Sequence, residues 1–165
     1  MNMSAKMTKK KNPSSGIKIN ISTDCTAVVF DQRLISDLIR QTAEHFGLAN
    51  AQINIAVVDD EKIVDINRRF LDKDGVTDVI SFDVSDEDSK EKFFDIAVNA
   101  QMAQRQARLR AHDASAELAL YILHGLLHHL GFDDATADQA AKMHKEEDDI
   151  LKKFGFGVVY AAAKR

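Results

Sequence analysis

Apolar and polar residues alternate through IKINIS, residues 17 to 22, which predicts a strand, and the period then lengthens. Leu34, Ile35, Leu38, Ile39 and Phe46 recur at helical spacing, and Gly47 stands where a left-handed residue would end that helix. QINIAVV, residues 52 to 58, predicts a second strand. Asp59 suits the N-cap of a following helix whose Ile63, Ile66 and Phe70 share one stripe, with Arg68 and Arg69 on the exposed side. DVISFDV is short, β-branched and bounded by turn residues, so it predicts a third strand, and DIAVN at 95 to 99 predicts a fourth. Ala100, Ala103 and Ala107 mark an alanine-faced helix. From about Ser115 to Leu130 apolar residues occupy nearly every side, which places that helix at the centre of the fold. Thr136 and Gln139 have the spacing of a capping box and open a last amphipathic helix, carried by Ala140, Met143, Ile150, Leu151 and Phe154 and closed by Gly155. The expected fold class is α+β, a small mixed sheet packed with about five helices.

Composition bounds this picture. A chain of 165 residues with 45% apolar residues can build the core of one domain, expected over residues 17 to 165. Residues 1 to 16 hold the only proline, two adjacent serines and a lysine run, and predict a disordered basic tail. The lone Cys25 has no partner for an internal disulfide and reads as a small packing residue. The chain shows neither the apolar run of a signal peptide nor a stretch long enough to cross a bilayer, so a cytoplasmic protein without membrane attachment is expected. A formal net charge of −4 removes general electrostatic attraction as a route to nucleic acid. An RNA partner would need a local basic surface. Residues 1 to 20, with five lysines and no acid, and residues 96 to 112, with Arg105, Arg108 and Arg110 and no acid, are the candidates, while 83 to 95 and 133 to 149 are mostly acidic.

The chemistry is concentrated in HGLLHHLGFDD, residues 124 to 134. A helix turns once in about 3.6 residues, so His124 and His128 project from one face on consecutive turns, the zincin arrangement, and can bind one ion. His129 points about 100° away around the helix and suits a core or supporting role. Gly131 can end the helix at positive φ and turn the chain back, so residues beyond it approach from another direction. Asp134 then supplies a third ligand; Asp133 competes with it, and the spacing favours Asp134. Two imidazoles and one carboxylate leave a corner of a zinc tetrahedron open for water, which an ion can activate for hydrolysis. Zinc peptidases of the H-E-x-x-H kind place their general base directly after the first histidine, and here that position is Gly125. A phosphodiester substrate depends less on that carboxylate.

These residues bring a resemblance into view. HGLLHHLGFDD resembles the H-G-x-L-H-L-x-G-Y-D-H signature of the YbeY family of zinc-dependent endoribonucleases and rRNA maturation factors. INRRFLDKDGVTDVISF, residues 66 to 82, is similar to that family's L-N-x-x-Y-R-x-K-D-x-P-T-D-V-L-S-F block, keeping Asn67, Lys73, Asp74, Thr77, Asp78, Val79, Ser81 and Phe82. DIAVN falls where the family has a G-D/E-I-V-I strand, and the likeness runs over residues 17 to 155. It implies that His124 and His128 hold one zinc ion with Asp134 in the place of a third histidine. It also implies a compact α+β domain with its zinc site at a groove mouth, ribosomal RNA and the small ribosomal subunit as partners, and single-strand-directed cleavage by metal-activated water in rRNA maturation and ribosome quality control. Leu71 stands where the family has arginine, Val76 where it has proline and Phe94 where it has glycine; Arg68, Arg69 and Lys73 are the nearby cations left to bind substrate. Two other functions compete: a non-catalytic ribosome-assembly factor with a structural metal, and a zinc metallopeptidase.

Overall fold

A computed structural model describes residues 16–159. The elements run β1 (Gly16–Thr23), α1 (Gln32–His45), β2 (Asn50–Val58), α2 (Asp60–Leu71), β3 (Val79–Asp83), β4 (Lys92–Asn99), α3 (Ala100–Arg110), α4 (Ala114–His129) and α5 (Ala137–Lys153). The α+β expectation holds, with five helices around one four-stranded sheet among the described residues. The expected basic tail, residues 1 to 16, lies outside the described residues except for Gly16, which opens β1 opposite Asn50.

The sheet order is β1-β2-β4-β3. β1, β2 and β4 are parallel, and β3 lies antiparallel to β4 at the edge. β4 starts three residues before the expected DIAVN, because Lys92, Phe93 and Phe94 pair with Ala51, Gln52 and Ile53. Successive strand residues face opposite sides of a sheet. Ile53, Ile55 and Val57 therefore join Phe94, Ile96 and Val98 on one face, where α1, α4 and α5 add Leu38, Leu126 and Leu151 to the main core. On the other face α2 packs Ile63 against Val58, Ile80 and Ala97 in a smaller cluster.

Local chemistry sets the helix limits. Asp31, Asp59, Asn99, Asp113 and Thr136 each accept a backbone N–H at an N-terminus, and Thr136 with Gln139 forms the expected capping box. Gly47 and Gly155 follow the ends of α1 and α5 as expected. α4 is the central helix, touching α1, α3, α5, β3 and β4, and its buried residues reach around all sides. It carries His124 and His128 near its C-terminal end, so the sheet and three helices fix the two imidazoles from behind. No helix of the described residues is long and apolar enough to cross a membrane.

Candidate metal centre

α4 ends in a reversal that its sequence dictates. Gly131 adopts φ +97°, outside the range that L side chains favour, and the Phe132 N–H returns to the Leu127 carbonyl at 3.1 Å. Phe132 then packs edge-on against Phe46, the residue that caps the C-terminus of α1, which anchors the chain after the turn. The reversal carries Asp134 back toward the two imidazoles. Its Oδ2 lies 3.4 Å from His124 Nε2 and 3.7 Å from His128 Nε2, and the two Nε2 atoms are 3.1 Å apart. A zinc tetrahedron with bonds of about 2.05 Å has edges of roughly 3.3 Å, so three donors at these separations fit three of its corners. Asp133 is not part of the converging group, and its Oδ1 accepts the Asp134 N–H at 2.8 Å. Among the described residues His124, His128 and Asp134 are the one group of three or more potential ligands that converges in this way.

A residue from α5 completes the arrangement. Glu147 is 1% exposed, and its Oε1 lies 2.6 Å from His124 Nδ1 while its Oε2 lies 2.9 Å from His144 Nδ1. With the proton of His124 held on Nδ1, its Nε2 presents a lone pair to the cluster. Burial pulls the His124 pKa down, but the Glu147 hydrogen bond and the charges of Glu147, Asp78 and Asp134 outweigh it and hold the value above that of an ordinary imidazole. A site that raises an imidazole pKa is one that stabilises positive charge, which is what a metal ion also brings.

The neighbouring histidines divide as the helix geometry requires. His129 faces away and stacks on Phe94 with ring centroids 4.5 Å apart, and its pKa is lowered, chiefly by burial. His112 and His144, which have no partner at metal-ligand spacing in the sequence, each hold a buried glutamate: His112 with Glu117, His144 with Glu147. Glu117 and Glu147 are the residues that sequence reasoning missed. The available signal is an acid in an apolar stripe, because Glu147 stands four residues after Met143 and four before Leu151, both fully buried.

The cations expected to meet substrate lie elsewhere. Arg68 pairs with Asp74 at 3.0 Å and Arg69 with Asp65 at 2.9 Å, and both line a surface depression on α2 that contains none of the three converging residues. Lys73 is exposed in the loop after α2, and Leu71 is 41% exposed. Arg105 is bound through two nitrogens to Asp60, and Arg110 to Glu117, so the basic stretch of residues 96 to 112 is largely neutralised within the fold.

Position 125 tells against a peptidase. A Cβ added to Gly125 would lie 3.1 Å from methyl carbons of both Ile96 and Val79, so α4 presses against the sheet there and a side chain at that position is crowded. Gly125→Glu is expected to lower unfolding stability by about 3 kcal/mol or more, through overpacking and a buried unpaired charge. Urea denaturation of the variant checks this, and unchanged stability would show that the position is open.

Residues 19–155 match the family profile described as Endoribonuclease YbeY. Among curated relatives, Endoribonuclease YbeY of Staphylococcus aureus is 34% identical over 146 residues, which cover 81% of this chain and 94% of that protein. The chain belongs to the endoribonuclease YbeY family. Endoribonuclease YbeY of Halalkalibacterium halodurans is also 34% identical, over 137 residues, covering 75% of this chain and 86% of that protein. A solution structure from Thermotoga maritima shares the fold, with a TM-score of 0.54 at 21% identity, over 84% of this chain and 88% of that one. Membership of the YbeY family bears out the resemblance drawn from the two sequence blocks.

Proposed function

We propose that this chain is a zinc-dependent endoribonuclease that cuts unpaired segments of ribosomal RNA precursors in the cytoplasm, working with the small ribosomal subunit. The observation that carries the reading is the convergence of His124 Nε2, His128 Nε2 and Asp134 Oδ2 at separations close to the edges of a zinc tetrahedron. Family membership supports RNA as the substrate. The donor set of two imidazoles and a carboxylate supports zinc, and three protein ligands leave a fourth position for water or substrate.

A zinc ion bound there supplies Lewis acidity toward a phosphoryl oxygen and an attacking water. The protein's own residues prepare that position. Glu147 accepts the His124 Nδ1–H and so turns the Nε2 lone pair toward the cluster. Asp134 brings a negative charge to the third corner, which lowers the net positive charge that two imidazoles and a third histidine would leave. Gly125 lets the sheet close behind the helix and supplies no side-chain base at that point.

Elemental analysis of the purified full chain tests the assignment, with one zinc ion per chain expected. Structured rRNA fragments carrying single-stranded loops are expected to be cut by that protein, to survive after chelation and to be cut again once zinc is restored. Cleavage by a metal-free preparation at the original rate would sink the reading.

A further inference from the structure

A cavity of about 300 Å³ opens beside His124 on the side of α3 and α5. We infer that it is a subsite for an unpaired nucleobase of the RNA substrate, and the inference rests on the endoribonuclease reading above. His124 belongs both to this cavity and to the three-residue cluster. The cavity meets His124 on the side of Glu147 and His144, and the cluster meets it through Nε2, so an occupant is separated from the cluster by one imidazole ring.

The walls suit a base. Met102 is half-buried and gives apolar surface for its face, with the almost fully buried Leu120 and Tyr121 behind it. Asp78, Gln106 and Arg110 offer polar groups for its edge. Asp78 uses Oδ1 to accept the Thr77 hydroxyl and the Val79 N–H, and among the described residues its Oδ2 carries no hydrogen bond. The Gln106 amide likewise has none among the described residues. Arg110 commits Nη1 to Glu117 at 2.9 Å, while its side chain stays 30% exposed with further N–H donors. Asp78, Gln106 and Arg110 thus line a single space with a carboxylate oxygen, an amide and guanidinium N–H groups not committed within the described residues, a set that suits a ring carrying donors and acceptors side by side.

Other ligands fit less well. A second phosphate would meet the carboxylates of Asp78, Glu117 and Glu147 against the single permanent cation of Arg110. The volume stands at the lower end of small-molecule sites, enough for one ring system and too little for a folded strand. RNA recognition works through splayed single-stranded bases stacked on side chains and bonded along their edges, so this cavity selects unpaired segments by holding one base out of its stack.

Binding of the four nucleoside 5′-monophosphates to the full-length, zinc-free chain tests the subsite apart from hydrolysis. At least one nucleotide is expected to shift the NMR signals of the Gln106 side-chain amide and of the Arg110 and Tyr121 backbones. Asp78→Asn keeps the Oδ1 acceptor for Thr77 and Val79 but turns the second oxygen into a donor, and is expected to weaken binding about tenfold. Gln106→Ala breaks no hydrogen bond among the described residues and is expected to weaken it about threefold. Unchanged dissociation constants in both variants, no nucleotide shifting those signals, or inorganic phosphate displacing the nucleotide with equal affinity would each overturn the subsite. Nucleotide binding here by a chain that cuts no RNA would remove the endoribonuclease reading and keep the subsite; RNA cutting with no binding here would do the reverse.

Discussion

Replacing Asp134 with alanine is expected to cut zinc affinity by about a hundredfold. Structural zinc sites bind with roughly 10–16 kcal/mol shared over four ligands, so one ligand contributes roughly 3 kcal/mol, and each 1.36 kcal/mol is tenfold. The aspartate side chain is 41% exposed and makes no packing contribution to the main core, so the fold should survive its removal. Asp134→His tests the same point from the other side. An imidazole there restores the third histidine of the family signature, and zinc affinity within about tenfold of the parent is expected, because imidazole and carboxylate are both accepted ligands. Competition with a chromophoric chelator measures all three proteins. Full zinc affinity in Asp134→Ala would mean that the ion takes its third ligand from another residue, and the candidate metal centre as described would fall.

Most of what positions this site could be read from local sequence, because local sequence governs it. His124 and His128 share a face through the helix period alone, Gly131 reverses the chain through its own backbone freedom, and Asp134 follows within a few residues. The same holds for the capping box at Thr136 and for the helix-ending Gly47 and Gly155. The remainder depends on contacts distant in sequence. β2 pairs with β4 and leaves β3 at the edge, an order set by how whole layers pack and not by any one segment. Glu147 lies 23 residues beyond His124, and its part appears only when α5 docks against α4. The cations fail for a related reason. Charge counting along the chain finds Arg68, Arg69 and Arg105, and helical spacing would also find Asp65 one turn before Arg69, but Asp74 and Asp60 come beside Arg68 and Arg105 only through the fold.

Glu147 gives the second large effect, and its volume and its charge can be separated. Glu147→Ala leaves a cavity and removes the acceptor for both His124 and His144, so it is expected to lower stability by about 2–4 kcal/mol. It should also weaken zinc binding by about 10–100-fold, the usual consequence of losing the partner that orients a ligating histidine. Glu147→Leu refills the volume between Met143 and Leu151 without restoring the acceptor, and replacing a buried charge by an apolar side chain is often tolerated. The leucine variant should therefore melt above the alanine variant while remaining as deficient in zinc. Glu147→Gln keeps one acceptor oxygen and faces the other imidazole with an amide N–H, so it should fall between the parent and the other two. A residue that merely fills space predicts the opposite ordering for the leucine variant, with zinc affinity following stability. Calorimetric melting of the zinc-free proteins beside chelator competition separates the two, and parental zinc affinity in Glu147→Leu would show that His124 needs no hydrogen-bonding partner to present Nε2.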